Sequence, residues 1–115
     1  MEIRQRVLGD IAVLDVVGRM VLGERTNETL FRNAVAEQLS AGRRQLVVNL
    51  AEVTQVDTSG LTALVNAHLT ATKRGGGLKL ANPTRRIREL LEITRLNTLF
   101  EVFDTEDLAV ASFGA

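Results

Sequence analysis

The chain has 115 residues, 45% of them hydrophobic, with Lys plus Arg and Asp plus Glu balanced at 14 each. That is apolar material for one packed core, so 1–115 is expected to form a single domain. Zero net charge and an aromatic content of 3%, all Phe, argue against direct nucleic-acid binding, and the absence of cysteine excludes disulfides, thiolate chemistry and cysteine metal sites.

IRQRVL (Ile3–Leu8) alternates apolar and polar residues as a half-buried strand does, and Gly9-Asp10 breaks the run as a hairpin turn would. IAVLDVVG (Ile11–Gly18) reads as a second strand, antiparallel to the first. Thr26 or Asn27 can cap a helix running to about Ser40, with Leu30, Phe31, Ala34, Val35 and Leu39 at helical spacing and Gly42 placed to end it. QLVVNL (Gln45–Leu50) is a nearly continuous apolar run, typical of a strand covered on both faces. A helix from about Ser59 to Lys73 follows. Its expected inward stripe is Leu61, Leu64, Val65, His68, Leu69 and Thr72, and Gly75-Gly76-Gly77 stops it. LKLAN (Leu78–Asn82) gives another strand. Pro83-Thr84 opens the helix TRRIRELLEITRL with Ile87, Leu90, Leu91 and Thr94 inward, and LFEVF (Leu99–Phe103) is a last short strand. Asp104 or Thr105 then caps a final helix, with Glu106 and Asp107 favourable in its first turn. No apolar run approaches the ~20 residues of a membrane span. The opening MEIRQRVLGD lacks the apolar centre of a signal peptide, so cytoplasmic residence without membrane insertion is the expectation.

The order β-β-α-β-α-β-α-β-α predicts an α/β fold with right-handed crossovers and a mixed, mostly parallel sheet behind an N-terminal hairpin. In such sheets function gathers at loops beyond the C-terminal ends of the strands. Ala51–Thr58 is expected to be one such loop. GRMVLGER (Gly18–Arg25) is expected to be another, its apolar Met20, Val21 and Leu22 either tucked under the sheet or part of a partner surface.

DTSG (Asp57–Gly60) stands where the loop meets the helix. Ser59 has two readings there. It is an N-cap, its oxygen accepting a backbone N–H of the first turn. Or it is a site that takes a phosphate of about −1.5 to −2 charge, stabilised by the helix N-terminus and opposed by Asp57. Thr58 adds a second hydroxyl, more than one cap needs, and Gly60 removes bulk so that another protein's active site can approach. A serine nucleophile needs a base within hydrogen-bond reach. His68, the one histidine, lies about 13 Å further along the helix and sits on the apolar stripe as a core or boundary residue. One histidine and no cysteine make a poor transition-metal ligand set, so no catalytic residue, metal or cofactor is expected. KRGGGLKL lacks the GxxxxGK[ST] pattern of a phosphate loop and reads as a helix end. Arg85, Arg86 and Arg88 read as a solvated face paired with Glu89 and Glu92.

VVGRM, QLVVNLAEVTQVDTSGLTALV, GGGLKLANPTRRIRELLEITRLNTLFEVF and TEDLAVASF follow one another across nearly the whole chain. Together they resemble the STAS domain family, most of all its small anti-sigma factor antagonists. The resemblance implies a sheet with about four helices packed chiefly on one face, and a role that is not enzymatic. It also implies a cycle. The unphosphorylated antagonist binds an anti-sigma factor that is also a serine kinase, and a sigma factor is freed for transcription. Phosphorylation releases the antagonist and a phosphatase restores it. The family's acceptor is the hydroxyl before the glycine, here Ser59, with Thr58 as the alternative. Gly18, Arg19, Met20, Val21, Asp57, Thr58, Gly60 and Leu61 are then the expected partner-binding residues. Two other roles occur in the family: a scaffold subunit of a signalling assembly, and a cytoplasmic STAS subunit of a lipid ABC transporter. Two positions depart from the pattern, Val21 where an acid is often found and Asn49 where Asp often ends the central strand.

Overall fold

Five strands form one sheet in the order β1 (Glu2–Leu8), β2 (Ile11–Met20), β3 (Gln45–Val56), β4 (Gly77–Ala81) and β5 (Val102–Phe103). β1 and β2 are an antiparallel hairpin turned at Gly9-Asp10, and all later pairings are parallel. The crossovers carry α1 (Arg25–Ser40), α2 (Thr58–Lys73) and α3 (Arg85–Ile93), and α4 (Glu106–Phe113) follows β5. This computed structural model describes residues 1–21 and 25–113, excluding the side chains of Arg25 and Thr26. The expected cap at Thr26 and the expected role of Leu22 therefore lie outside the described residues. Asn27, the alternative cap, is inside α1 instead, and its Nδ2 donates back to the Val21 carbonyl at 3.1 Å.

Two-residue periodicity divides the interior. Ala12, Leu14 and Val16 of β2 join Leu46, Val48 and Leu50 of β3 under α1, α2 and α3. Ile11, Val13 and Val47 point the other way and meet Ala109 of α4. Both faces are thus covered, which is why β2 and β3 read as continuous apolar runs. The expected one-sided packing holds for α1 to α3, while α4 takes the opposite face.

The helices differ in detail from the periodic reading. α2 buries Gly60, Leu61, Leu64, Ala67 and Ala71, whereas Leu69 is 48% exposed and Thr72 is exposed. Small residues let the helix axis approach the sheet, so the inward face is centred on them and not on the bulkiest stripe. Leu30 of α1 is likewise exposed. α3 stops at Ile93, short of the expected Leu96, because the chain turns through Arg95 at φ 61° into a 3-10 turn at Leu96–Thr98. Thr94 is therefore an exposed C-cap, and Leu99–Phe103 shrinks to a two-residue strand. At α4 the Thr105 hydroxyl accepts from the Leu108 N–H, leaving Asp104 to pair with Arg88 at 2.6 Å.

The largest departure is at β3. Its pairing with β4 ends at Asn49↔Ala81, but pairing with β2 continues to Met20↔Val56. The expected loop Ala51–Thr58 is therefore mostly strand, and β2 and β3 run on together as a two-stranded ribbon. The register shifts twice, between Asp15 and Val17 and between Gly18 and Arg19, and β3 carries the extra residue each time. Each shift is a β-bulge. Gly18 supplies the φ of +93° at the second one. The bulges stretch the inward spacing of β3 from two residues to three, so Leu50 and then Val53 are buried, with Val56 partly buried beyond them.

Candidate functional site

α2 begins where the ribbon ends. Asp57 is its N-cap, with extended backbone (φ −121°, ψ −176°), and its Oδ1 accepts from the Gly60 N–H at 3.0 Å. The cap is thus Asp57 and not Ser59, which is the second residue of the helix. Ser59 is half-buried, and its hydroxyl donates to the same Oδ1 at 2.5 Å. The Ser59 hydroxyl does most to hold the Asp57 carboxyl below its ordinary pKa; burial opposes it, and the Gly60 and Ser59 N–H groups add to the lowering. At neutral pH the cap is a carboxylate held by these donors. Thr58 is exposed at the first helical position.

The other expected site residues fall into two groups. Arg19 is exposed on the ribbon, its Nε donating to Gln55 Oε1 at 3.0 Å, and Val21 is partly exposed just beyond. Met20 is not a surface residue. It is fully buried, in line with the reading in which this run tucks under the sheet. Leu61 is 5% exposed and belongs to the core. A Cβ at Gly60 would stand 2.5 Å from the Met20 carbonyl oxygen and 2.9 Å from Val56 Cγ2. The missing side chain therefore serves contact inside the chain: it lets the first turn of α2 rest on the end of the ribbon. This corrects the reading of Gly60 as room for a partner.

A cleft of about 690 Å³ opens between α1 and α2. Phe31, Val35 and Leu39 of α1 and Ala67 of α2 form its floor, with Thr58 and Ser59 at one end and Arg74 at the other. His68 lies outside it, half-buried against Phe100 with ring centroids 5.4 Å apart, and its buried Nδ1 has no hydrogen-bond partner among the described residues.

On the α4 face, sequence reasoning missed a polar cluster. The Arg6 guanidinium binds both carboxylate oxygens of Asp15, at 2.6 and 2.8 Å, and also binds Glu106. Asn49 donates to Asp15 Oδ1 at 3.0 Å and accepts from Asn82 Nδ2 and the Ala51 N–H, both at 3.1 Å. An aspartate at this position would meet two carboxylates with, among the described residues, a single arginine to offset three charges. The amide donates where a carboxylate could not, which gives the Asn49 departure a local reason. Its bond to the Ala51 N–H also fixes the chain where the first bulge begins.

A family model for the STAS domain matches residues 2–109. The chain belongs to the STAS domain family. A Thermotoga neapolitana protein described as a candidate anti-sigma factor antagonist is 29% identical over 80 residues, spanning 69% of this chain and 71% of that one. The crystal structure of a candidate anti-sigma factor antagonist from Thermotoga maritima superposes with a TM-score of 0.86 at 22% identity, over 96% of this chain and 92% of that one. The anti-sigma factor antagonist SpoIIAA in its unphosphorylated form gives 0.76 at 15% identity, over 99% and 100% of the two chains. At such identities the structural likenesses carry the STAS fold. Among the described residues no helix is long and apolar enough to cross a membrane.

Proposed function

We propose that this STAS domain is an anti-sigma factor antagonist, a binding module switched by phosphorylation of Ser59. Unphosphorylated, it binds an anti-sigma factor with serine kinase activity and so regulates sigma-factor-dependent transcription. The kinase phosphorylates Ser59, the complex separates, and a phosphatase resets it. The observation that carries this reading is the Ser59 hydroxyl, half-buried in the first turn of α2 and held by Asp57. The candidate antagonists among its relatives support it, as does the likeness to SpoIIAA, also solved in a phosphorylated form.

The switch has a physical basis. Phosphorylation removes the proton that Ser59 donates and sets a dianion beside the Asp57 carboxylate. The positive end of the α2 dipole and water stabilise that dianion at an open surface. Burying it in an interface built around a neutral hydroxyl costs several kcal/mol, and each 1.4 kcal/mol is about tenfold in affinity. Arg19 and Thr58, exposed, and Val21, partly exposed, are the docking residues of this reading.

The test is incubation with the anti-sigma kinase of the same organism and ATP, read by intact mass and peptide mapping. One phosphate on Ser59, none on Ser59→Ala, and weak kinase binding by Ser59→Asp are expected. Modification that persists in Ser59→Ala moves the acceptor to Thr58 or elsewhere. Full binding by Ser59→Asp would favour a scaffold subunit over a switch.

A further inference from the structure

The shape of the α1–α2 cleft specifies more than a location. Both helices return from one parallel strand to the next, so they run in the same direction over the sheet. On α1 the cleft is edged by Glu28, Arg32 and Ala36, and on α2 by Thr58, Thr62, Asn66, Thr70 and the C-cap residue Arg74. Each set steps by four residues. Rows at i±4 are the ridges between which another helix packs. The α2 row spans about 24 Å at 1.5 Å per residue, the length of four helical turns. Ala36 on the α1 lip and Ala63 inside the cleft are small, so a third backbone can come close, while the Phe31, Val35 and Leu39 floor is 2%, 5% and 5% exposed. The surface offered is shallow and two-ridged, and it is not a deep pocket for a small molecule.

We infer that this cleft seats an amphipathic helix of the kinase partner, its apolar ridge lying between the α1 and α2 rows. The inference rests on the switch reading above and extends it from one residue to a surface. Two observations select this occupant. Ser59 and Thr58 line the mouth of the cleft, so the seat is continuous with the modification site. At the far end Arg74 makes no ion pair among the described residues, and an acid at that end of the incoming helix complements it. A phosphate on Ser59 then stands in the path of the helix's apolar ridge, at the same end of the cleft as Glu28 on the facing helix, and expels it.

The experiment measures affinity for the purified anti-sigma kinase by calorimetry. Ala36→Arg and Asn66→Arg raise the two lips at exposed positions, and Leu69→Arg, on α2 but outside the cleft, is the control. Thermal melts check that each variant folds. Weakening of about tenfold or more by each lip variant, with about twofold or less for the control, is expected. Equal affinity across the variants, with Ser59→Asp still weakened, would overturn the helix seat and leave the switch standing. No binding by wild type would overturn both. Sedimentation at rising concentration adds a third arm: a dimer abolished by Ala36→Arg, with kinase affinity unchanged, would give the cleft to a second copy of this chain and overturn the inference.

Discussion

Ser59 Oγ donates to Asp57 Oδ1 at 2.5 Å, and the same oxygen caps α2 through the Gly60 N–H. One carboxylate oxygen therefore serves both the helix and the hydroxyl proposed to be modified. Asp57→Ala is expected to cost about 1 kcal/mol, within the ~0.5–2 range of N-cap losses. The acid dependence has a defined sign. The Asp57 pKa is lowered in the folded chain, so its contribution is fully present above the ordinary carboxylate pKa of about 4 and fades as pH falls below that through the folded value. Urea unfolding of wild type and Asp57→Ala should show a stability gap at pH 7 that narrows under strongly acid conditions. A gap that widened on acidification would contradict the cap.

Gly60 faces the Met20 carbonyl and Val56. Helix propensity alone predicts that Gly60→Ala stabilises by about 1 kcal/mol. The close approach reverses the sign: the ribbon must move, and overpacking of this kind costs ~1–3 kcal/mol. A lower melting temperature for Gly60→Ala, with Thr62→Ala near wild type, is the expected result.

Asn49→Asp would place a third carboxylate against Asp15 and Glu106 with Arg6 as the one cation among the described residues that binds them. Losing the donated hydrogen bond and adding like charge should destabilise by ~1–3 kcal/mol at pH 7. The deficit should shrink as pH falls toward the carboxylate range and the added charge is neutralised. Melting temperatures of the pair from pH 7 down to pH 4 measure it.

His68 stands about 13 Å along α2 from Ser59, against Phe100, with its Nδ1 unpartnered among the described residues. His68→Phe removes a buried polar atom without a mate. It is expected to leave stability unchanged or raise it by roughly 1 kcal/mol, and to leave the rate of Ser59 phosphorylation as in wild type. A large rate loss in a well-folded variant would reopen a catalytic part for this ring.

Legibility in the sequence followed the range of the interactions. The succession of elements, the crossovers and the Asp57–Gly60 junction were readable because runs such as Gln45–Leu50 and the spacing Phe31, Ala34, Val35 are local. The end of β3 was not: with one extra residue at each bulge, Leu50 and Val53 lose the two-residue period that marks a strand. The inward face of α2 misled because Gly60, Ala67 and Ala71 carry little hydrophobic weight, yet they are what fits close to the sheet. Arg6, Asp15, Asn49 and Glu106 come from four elements, and no pattern along the chain joins them before the sheet and α4 assemble.

The two bulges of β3 make the position of Ser59 a matter of counting. Side-chain direction along a strand has parity, and each added residue inverts it. Deleting Thr54 would undo one inversion, turn Val56 away from the interior and bring Asp57 round on the wrong side of α2. The ribbon is thus indexed by its length more than by its chemistry. Exposed positions such as Glu52, Thr54 and Gln55 should accept many substitutions, while a single insertion or deletion between Leu50 and Asp57 should misplace the serine altogether.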